Sequence, residues 1–302
     1  MKPGHDVVVI GGTGVDTTVY VPSLPLPYAD TYAVPPVIDR IGNTGSGVAL
    51  GCHALGLRVK LVDLIGDDPQ GRFIRARFEG GGIDTGWALA PQGTRRSVLL
   101  VGPDGRRTSL FDPRAAEGER LPRELYLEAV RDARHVHVSL TGFSRHVYPD
   151  LDGRFVSTDL HDWDGEDDFH HDYAYSSDLV FLSASALGAR REEVMRDILS
   201  RGRAGAVVCT DGAAGCHVLD AAGPRSFPAA PLPGPVVDSN GAGDAFVSGV
   251  LYGLLSGRIL DESVRLGTVA GAHACTSAGT HENPIDEATL LDRAGEPREP
   301  TR

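Results

Sequence analysis

Lysine is nearly absent from this chain of 302 residues: Lys2 and Lys60 are the only two. Neither stands in a Gly-Lys-Ser/Thr or a Val-Ala-Ile-Lys context, which excludes the P-loop and protein-kinase ways of holding nucleotide phosphates. Any phosphate must instead be held by backbone amides and arginines. Cysteine is also sparse, and Cys52, Cys209, Cys216 and Cys275 show no Cys-x-x-Cys spacing. Reduced thiols in a cytoplasmic protein are expected rather than a disulfide framework. No apolar run approaches a membrane span, and the run Val7 to Ile10 is too short for the core of a signal peptide. The net charge is −12, which argues against nucleic acid and anionic membrane as partners, since both need basic patches.

The most informative stretch present is Asp238-Ser239-Asn240-Gly241-Ala242-Gly243-Asp244-Ala245-Phe246. Val236 and Val237 read as a short β-prone lead into a glycine turn. Beyond the turn, Val247, Val250, Leu251, Leu254 and Leu255 recur at the spacing of one buried helical face. Gly241 and Gly243 allow close approach of backbone N–H groups to a ligand, and a helix N-terminus adds positive potential, so the turn suits an anion. Asp244 then sits beside the anion, where a carboxylate is costly unless it serves as a general base in phosphoryl transfer.

Hydrophobic periodicity predicts strands at 7–10, 59–62, 85–90, 97–101, 136–138, 179–182, 206–209 and 216–219. It predicts helices at 47–57, 71–79, 124–133 and 191–201, with two more after the glycine turn ending near Ala278. Asp104-Gly105 marks a hairpin. Strand–helix alternation in the second half predicts an α/β fold with a mainly parallel sheet covered on both faces. Segments within about 17–40 and 85–112 break the alternation and are expected to form a small antiparallel sheet to one side. One domain over 1–293 is expected, with 294–302 as a frayed tail. Residues Asp159 to Asp172 hold seven acids and three histidines (His161, His170, His171). A solvated loop is the first reading of that cluster and a metal site the second.

The string Asp238 to Asp244 resembles the second signature of the ribokinase-like (PfkB) carbohydrate kinases, with Ser239 in place of Thr. That family has a three-layer α/β/α fold with a β-sheet lid, and the resemblance covers roughly residues 6–290. Gly11-Gly12-Thr13-Gly14-Val15-Asp16 resembles its opening strand and glycines followed by a substrate-binding Asp. A Rossmann fingerprint fails there, because Thr17 replaces the third glycine and Pro22, Pro25 and Pro27 cannot open a helix. Gly42 to Gly56 resembles the first signature. Asn43 stands where the second glycine is usual and Gly47 where a sugar-binding Asn is usual, so Asn43 is a candidate for that role. Gly66-Asp67-Asp68 with Gly71 resembles a scaffold element.

Thr210-Asp211-Gly212-Ala213-Ala214-Gly215 resembles the nucleotide-binding turn. The Asn-x-x-Glu motif that normally precedes it is replaced by Ser183-Ala184-Ser185-Ala186. The resemblance implies an ATP-dependent kinase of a small sugar or nucleoside using Mg²⁺. Asp244 is then the base, the amides of Gly241, Ala242 and Gly243 the anion hole, and Asp16, Gly42, Asn43, Gly47 and Arg107 the acceptor site. Ser183, Thr210, Asp211, Gly212, Gly215 and Gly243 then face nucleotide, and Asp238, Asn240 and Gly279 hold a monovalent cation such as K⁺. A homodimer through the lid strands is also implied. The altered first signature predicts poor use of ribose and fructose and better use of a bulkier acceptor such as a nucleoside. The rivals are a catalytically weak ligand-binding or regulatory protein on the same fold and a dinucleotide-dependent oxidoreductase.

Overall fold

The computed structural model describes residues 4–295. Its centre is the strand β1 (Val7–Ile10), whose four residues are all fully buried. Strand periodicity sends Val8 and Ile10 into one hydrophobic core and Val7 and Val9 into the other, so both faces of the sheet are covered. β1 pairs in parallel with β4 (Val59–Ile65) on one side and β8 (His135–Val138) on the other. Beyond β8 the sheet continues through β9 (Val156–Asp159), β10 (Leu179–Ser183) and β11 (Ala206–Thr210), all parallel. Antiparallel strands β12 (Cys216–Asp220) and β13 (Gly223–Phe227) close that edge.

Helices α1 (Thr44–Ala54), α2 (Pro69–Gly81) and α6 (Ala242–Leu255) bury Val48, Ile74, Phe78, Phe246, Val247, Val250 and Leu251 in the Val7/Val9 core. Val264, from helix α7 (Leu260–Ala274), joins the same core. Helices α3 (Arg123–Asp132), α4 (His171–Ser176) and α5 (Arg191–Arg201) place Tyr126, Val130, Tyr173, Val194 and Ile198 in the opposite one. The Gly66 to Gly71 run is scaffold, as expected. Asp68 caps α2 by accepting from Gly71 N–H at 2.7 Å, and it also accepts from Thr94 N–H and Oγ1 at 2.7 Å each.

A second sheet of four strands has the order β3 (Ile38–Gly42), β2 (Gly14–Tyr20), β6 (Arg96–Val101), β7 (Arg107–Asp112). The hairpin at Asp104-Gly105 joins β6 to β7. This lid is not wholly antiparallel, because β2 and β6 run parallel. Residues from Thr85 do not belong to it: β5 (Asp84–Leu89) extends the main sheet in parallel beside β4. Val236 and Val237 form no strand and are exposed. Helix α8 (Glu287–Ala294) ends at the residue where the tail was expected to begin. The rest of that expectation, 296–302, lies outside the described residues.

Candidate active site

Three structural segments converge at the C-terminal end of β1: the lid strand β2, the N-terminus of α1 and the N-terminus of α6. A buried ion pair fixes the first. Arg95 donates to the Asp63 carboxylate and, at 3.2 Å, to the Thr13 carbonyl, while Asp63 accepts from Thr13 N–H at 2.6 Å. Both carbonyl and amide of Thr13 are thereby held, which sets the start of β2 and the direction of Asp16.

Asp16 is buried and lies face-on against Gly42; a Cβ at Gly42 would stand 2.1 Å from its Cγ. Burial raises its carboxyl above the usual range, opposed by a hydrogen bond from Ser97, the charge of Arg107 and hydrogen bonds from Thr280 and Asn240. Asn240 Nδ2 donates to Thr280 Oγ1 at 2.6 Å, and Thr280 Oγ1 donates to Asp16 Oδ2 at 3.4 Å. Asn43 caps α1 at φ 66°, and its buried Nδ2 has no hydrogen-bond partner among the described residues.

Helix α6 begins at Gly241, whose φ is 77°. The Ala242 N–H donates to the Ser239 carbonyl at 3.3 Å and the Ala245 N–H to the Gly241 carbonyl at 2.9 Å. Among the described residues the N–H groups of Gly241, Gly243 and Asp244 have no acceptor. Gly243 is exposed, and a Cβ there would meet no protein atom within 4 Å. The open amides at a helix start are therefore bare on the side of Gly243, an arrangement that receives an anion.

Asp244 is buried at the base of this turn. Desolvation pushes its carboxyl well above the usual carboxylate range; the charges of Asp159 and Asp16 add to the rise and that of Arg107 opposes it. Arg107, from the first residue of β7, thus reaches both carboxylates electrostatically although its own chain position is exposed. Beside Asp244 stands His281, buried, with Nε2 3.5 Å from Asp244 Oδ2. Burial pushes the imidazole down to about 4, with Arg107 adding to the effect and a hydrogen bond to the Asn43 backbone opposing it. No motif in the sequence pointed to His281, Thr280 or the Asp63–Arg95 pair.

Gly47, in the first turn of α1, lies against His281 and Asp244. A Cβ there would stand 2.3 Å from His281 Cε1 and 2.6 Å from Asp244 Cβ, and a Cβ at Gly51 would stand 2.3 Å from Ser248 Oγ. The pair at i, i+4 spacing lets α1 press against Asp244 and Ser248 of α6.

Across the turn, β11 delivers Thr210, whose Oγ1 donates to the Leu182 carbonyl at 3.4 Å. Asp211 is engaged by Arg191 at 3.1 Å and by His217 at 3.4 Å. The turn through Gly212 to Gly215 is closed by Gly215 packing on Phe227, where a Cβ would stand 2.0 Å from the carbonyl oxygen. Ser183 caps the short turn after β10: its Oγ accepts from Ser185 N–H at 3.2 Å. Asp238 is buried and accepts from Asn240 N–H at 2.9 Å. Arg40 stands against Gly279, with Nε 2.5 Å from where a Cβ would lie. Among the described residues no cluster of His, Cys, Asp or Glu could hold a metal ion; within 159–172, Asp159 ends β9 and His171 and Asp172 begin α4.

Comparison with known proteins identifies the family and the fold. Residues 171–288 match the family model described as pfkB family carbohydrate kinase. The acarbose 7(IV)-phosphotransferase of Actinoplanes sp. is 50% identical over 296 residues, covering 96% of this chain and 99% of that one. The cytidine kinase of Thermococcus kodakarensis is 30% identical over 87% of this chain and 93% of its own. Among solved structures, a microbiome-derived acarbose kinase superposes with a TM-score of 0.91 at 44% identity, covering 97% of this chain and 99% of that one. Ribokinase from Thermotoga maritima, at 17% identity over 97% of this chain and all of its own, shares the fold with a TM-score of 0.82. The chain belongs to the pfkB family of carbohydrate kinases and is a sugar phosphotransferase.

Proposed function

We propose that this kinase moves the γ-phosphoryl group of ATP to a hydroxyl of a carbohydrate larger than a free pentose, an acarbose-like oligosaccharide in the first instance. The observation that carries this reading is Asp244, buried beneath unpaired amides at the start of α6. Asp244 takes the acceptor's proton as the hydroxyl oxygen bonds to phosphorus and the bond to ADP breaks. The amides of Gly241 and Gly243, with that of Ala242 turned to Ser239, receive the charge of the moving group. Asp16, Gly42, Asn43 and Arg107 line the acceptor side; the orphaned Asn43 amide is one that a bound hydroxyl would satisfy. Thr210, Gly212 and Gly215 face the nucleotide, with Asp211 fixing their turn and Ser183 beside them.

The charges of Asp159 and Asp16 both bear on Asp244, opposed by Arg107, and a divalent cation held mainly by the nucleotide phosphates would offset them. Mg²⁺, when bound, neutralises phosphate charge. Asp238, Asn240 and Gly279 are assigned to a monovalent cation such as K⁺, and exchanging K⁺ for Na⁺ in the assay tests that assignment. Residues 1–293 then act as one domain closed by its lid. Among the described residues no helix is long and apolar enough to cross a membrane, and a cytoplasmic location is part of the proposal. The outer lid strand β7 is exposed at every position, Leu110 and Phe111 included, which supports a homodimer through the lid strands. ADP release with acarbose, ribose, fructose and a set of nucleosides tests the reading. Acceptor binding without ADP release from any of them would favour a silent regulatory protein.

A further inference from the structure

Two hydrogen-bond acceptors face each other beside the start of α6, with no donor between them. A Cβ on Gly47 would fall 2.3 Å from His281 Cε1, so the His281 ring is admitted only because residue 47 has no side chain. Burial keeps this imidazole neutral, and its one N–H goes to the Asn43 backbone. Nε2 has no hydrogen-bond partner among the described residues, so it carries the lone pair. It lies 3.5 Å from Asp244 Oδ2. Asp244 must be ionised to act as a base, and an ionised carboxylate also only accepts. A buried acceptor without a donor costs free energy. The two side chains are 6% and 10% exposed, so the base is as enclosed as the imidazole. An acceptor molecule that reaches the carboxylate brings its neighbouring atoms to the ring.

We infer that His281 is a specificity-determining residue whose Nε2 lone pair accepts a hydrogen bond from a second hydroxyl of the carbohydrate, neighbouring the one that is phosphorylated. The reacting hydroxyl has a single proton, and Asp244 takes it. That hydroxyl therefore cannot also serve Nε2, and the donor comes from the group beside it. A carbohydrate with adjacent hydroxyls satisfies both acceptors at once. One that lacks the second hydroxyl leaves the nitrogen buried and unpaired. The inference rests on the reading of Asp244 as the base.

The test measures kcat/KM for acarbose and for its monodeoxy analogues, each lacking one hydroxyl of the unit that is phosphorylated. Wild type is compared with His281→Asn, whose amide keeps an N–H near the place of Nδ1 and has nothing at the place of Nε2. In wild type, the analogue lacking the second hydroxyl is expected to lose at least about 10²-fold, as when a buried group that binds a substrate hydroxyl is left unpaired. His281→Asn is expected to use acarbose about 10-fold less well, the worth of one hydrogen bond. It is expected to treat that one analogue within about threefold of acarbose, while losses at the other hydroxyls persist. A His281→Asn enzyme in which every loss persists overturns the inference, because a packing role lowers all acceptors alike. So does a wild type indifferent to all the analogues. A second measurement needs no variant. In ¹⁵N-labelled wild type, the Nε2 resonance is expected to move upfield when acarbose is added without ATP, as a lone pair does on accepting a hydrogen bond. An unmoved resonance with acarbose bound overturns the inference as well. Near-normal turnover in Asp244→Asn would instead remove the reading of the base, an outcome separate from these.

Discussion

Gly241 lies directly against the carbonyl oxygen of Thr280: a Cβ at Gly241 would stand 2.1 Å from that oxygen, in a backbone with φ 77°. Gly243, two residues on, has open space where its Cβ would go. The two glycines of one turn therefore have different reasons. Gly241 is required by the fold, and Gly243 is exposed and free of the protein. The positive backbone angle belongs to Gly241, not Gly243, so substitution at 243 carries no such strain. Gly243→Val is expected to leave the unfolding midpoint within a few degrees of wild type and to abolish most phosphoryl transfer, because the side chain fills the anion's place. Gly241→Ala is expected to lower stability. Thermal melts and ADP release on both variants check this; a Gly243→Val enzyme with normal kinetics would remove the turn from phosphate binding.

Much of this turn was legible because glycines, helix start and carboxylate are contiguous. Asp16, Asn43 and Arg107 were legible through their places after a strand, before a helix and beyond a hairpin. His281 was not, since nothing local distinguishes it and its meaning depends on what residue 47 lacks. Thr85 to Leu89 was misplaced into the lid for a similar reason. Its partner is Leu61 to Ile65, earlier in the chain, whereas nearness in sequence favoured the hairpin that follows. Val236 and Val237 have strand propensity but no partner strand, and propensity alone does not make a ladder.

Magnesium dependence follows from the segment after β10. Ser183 Oγ is engaged with Ser185 and Ala186 is exposed without a carboxylate. Outer-sphere partners are worth about 10–100-fold in metal affinity or activity. Half-saturation by Mg²⁺ is expected to be high and to fall in the variant Ser183→Asn with Ala186→Glu. Superimposable Mg²⁺ titrations at fixed ATP would mean that Asp159 or a neighbour already fills the role.

Acceptor choice follows from the first signature. Gly47 offers no polar side-chain atom, and the volume beside it belongs to His281. Ribose and fructose are expected to be poor acceptors, with kcat/KM at least about 10²-fold below that for acarbose, as when a site loses a group that hydrogen-bonds substrate. Ordinary kinase rates on millimolar ribose would contradict this.

Stability should depend on pH through Asp244. Its folded carboxyl is raised above the ordinary value of 3.8 by burial, so between that value and the raised one the folded state binds more protons than the unfolded. Stability then falls as pH rises through this window. Asp244→Asn removes a buried charge and is expected to raise the unfolding midpoint at neutral pH, with the gain shrinking as pH falls toward 3.8. The same shift places the acid limb of kcat/KM above the usual carboxylate range. A gain independent of pH would contradict the assignment.

The turnover of Asp244→Asn with acarbose and ATP tests the central claim most directly. The variant keeps the shape of the buried side chain and removes its capacity to take a proton. The account predicts a kcat about 10²–10⁴-fold below wild type, the range for losing a general base, with nucleotide affinity and fold retained. A correctly folded variant with near wild-type kcat would contradict it.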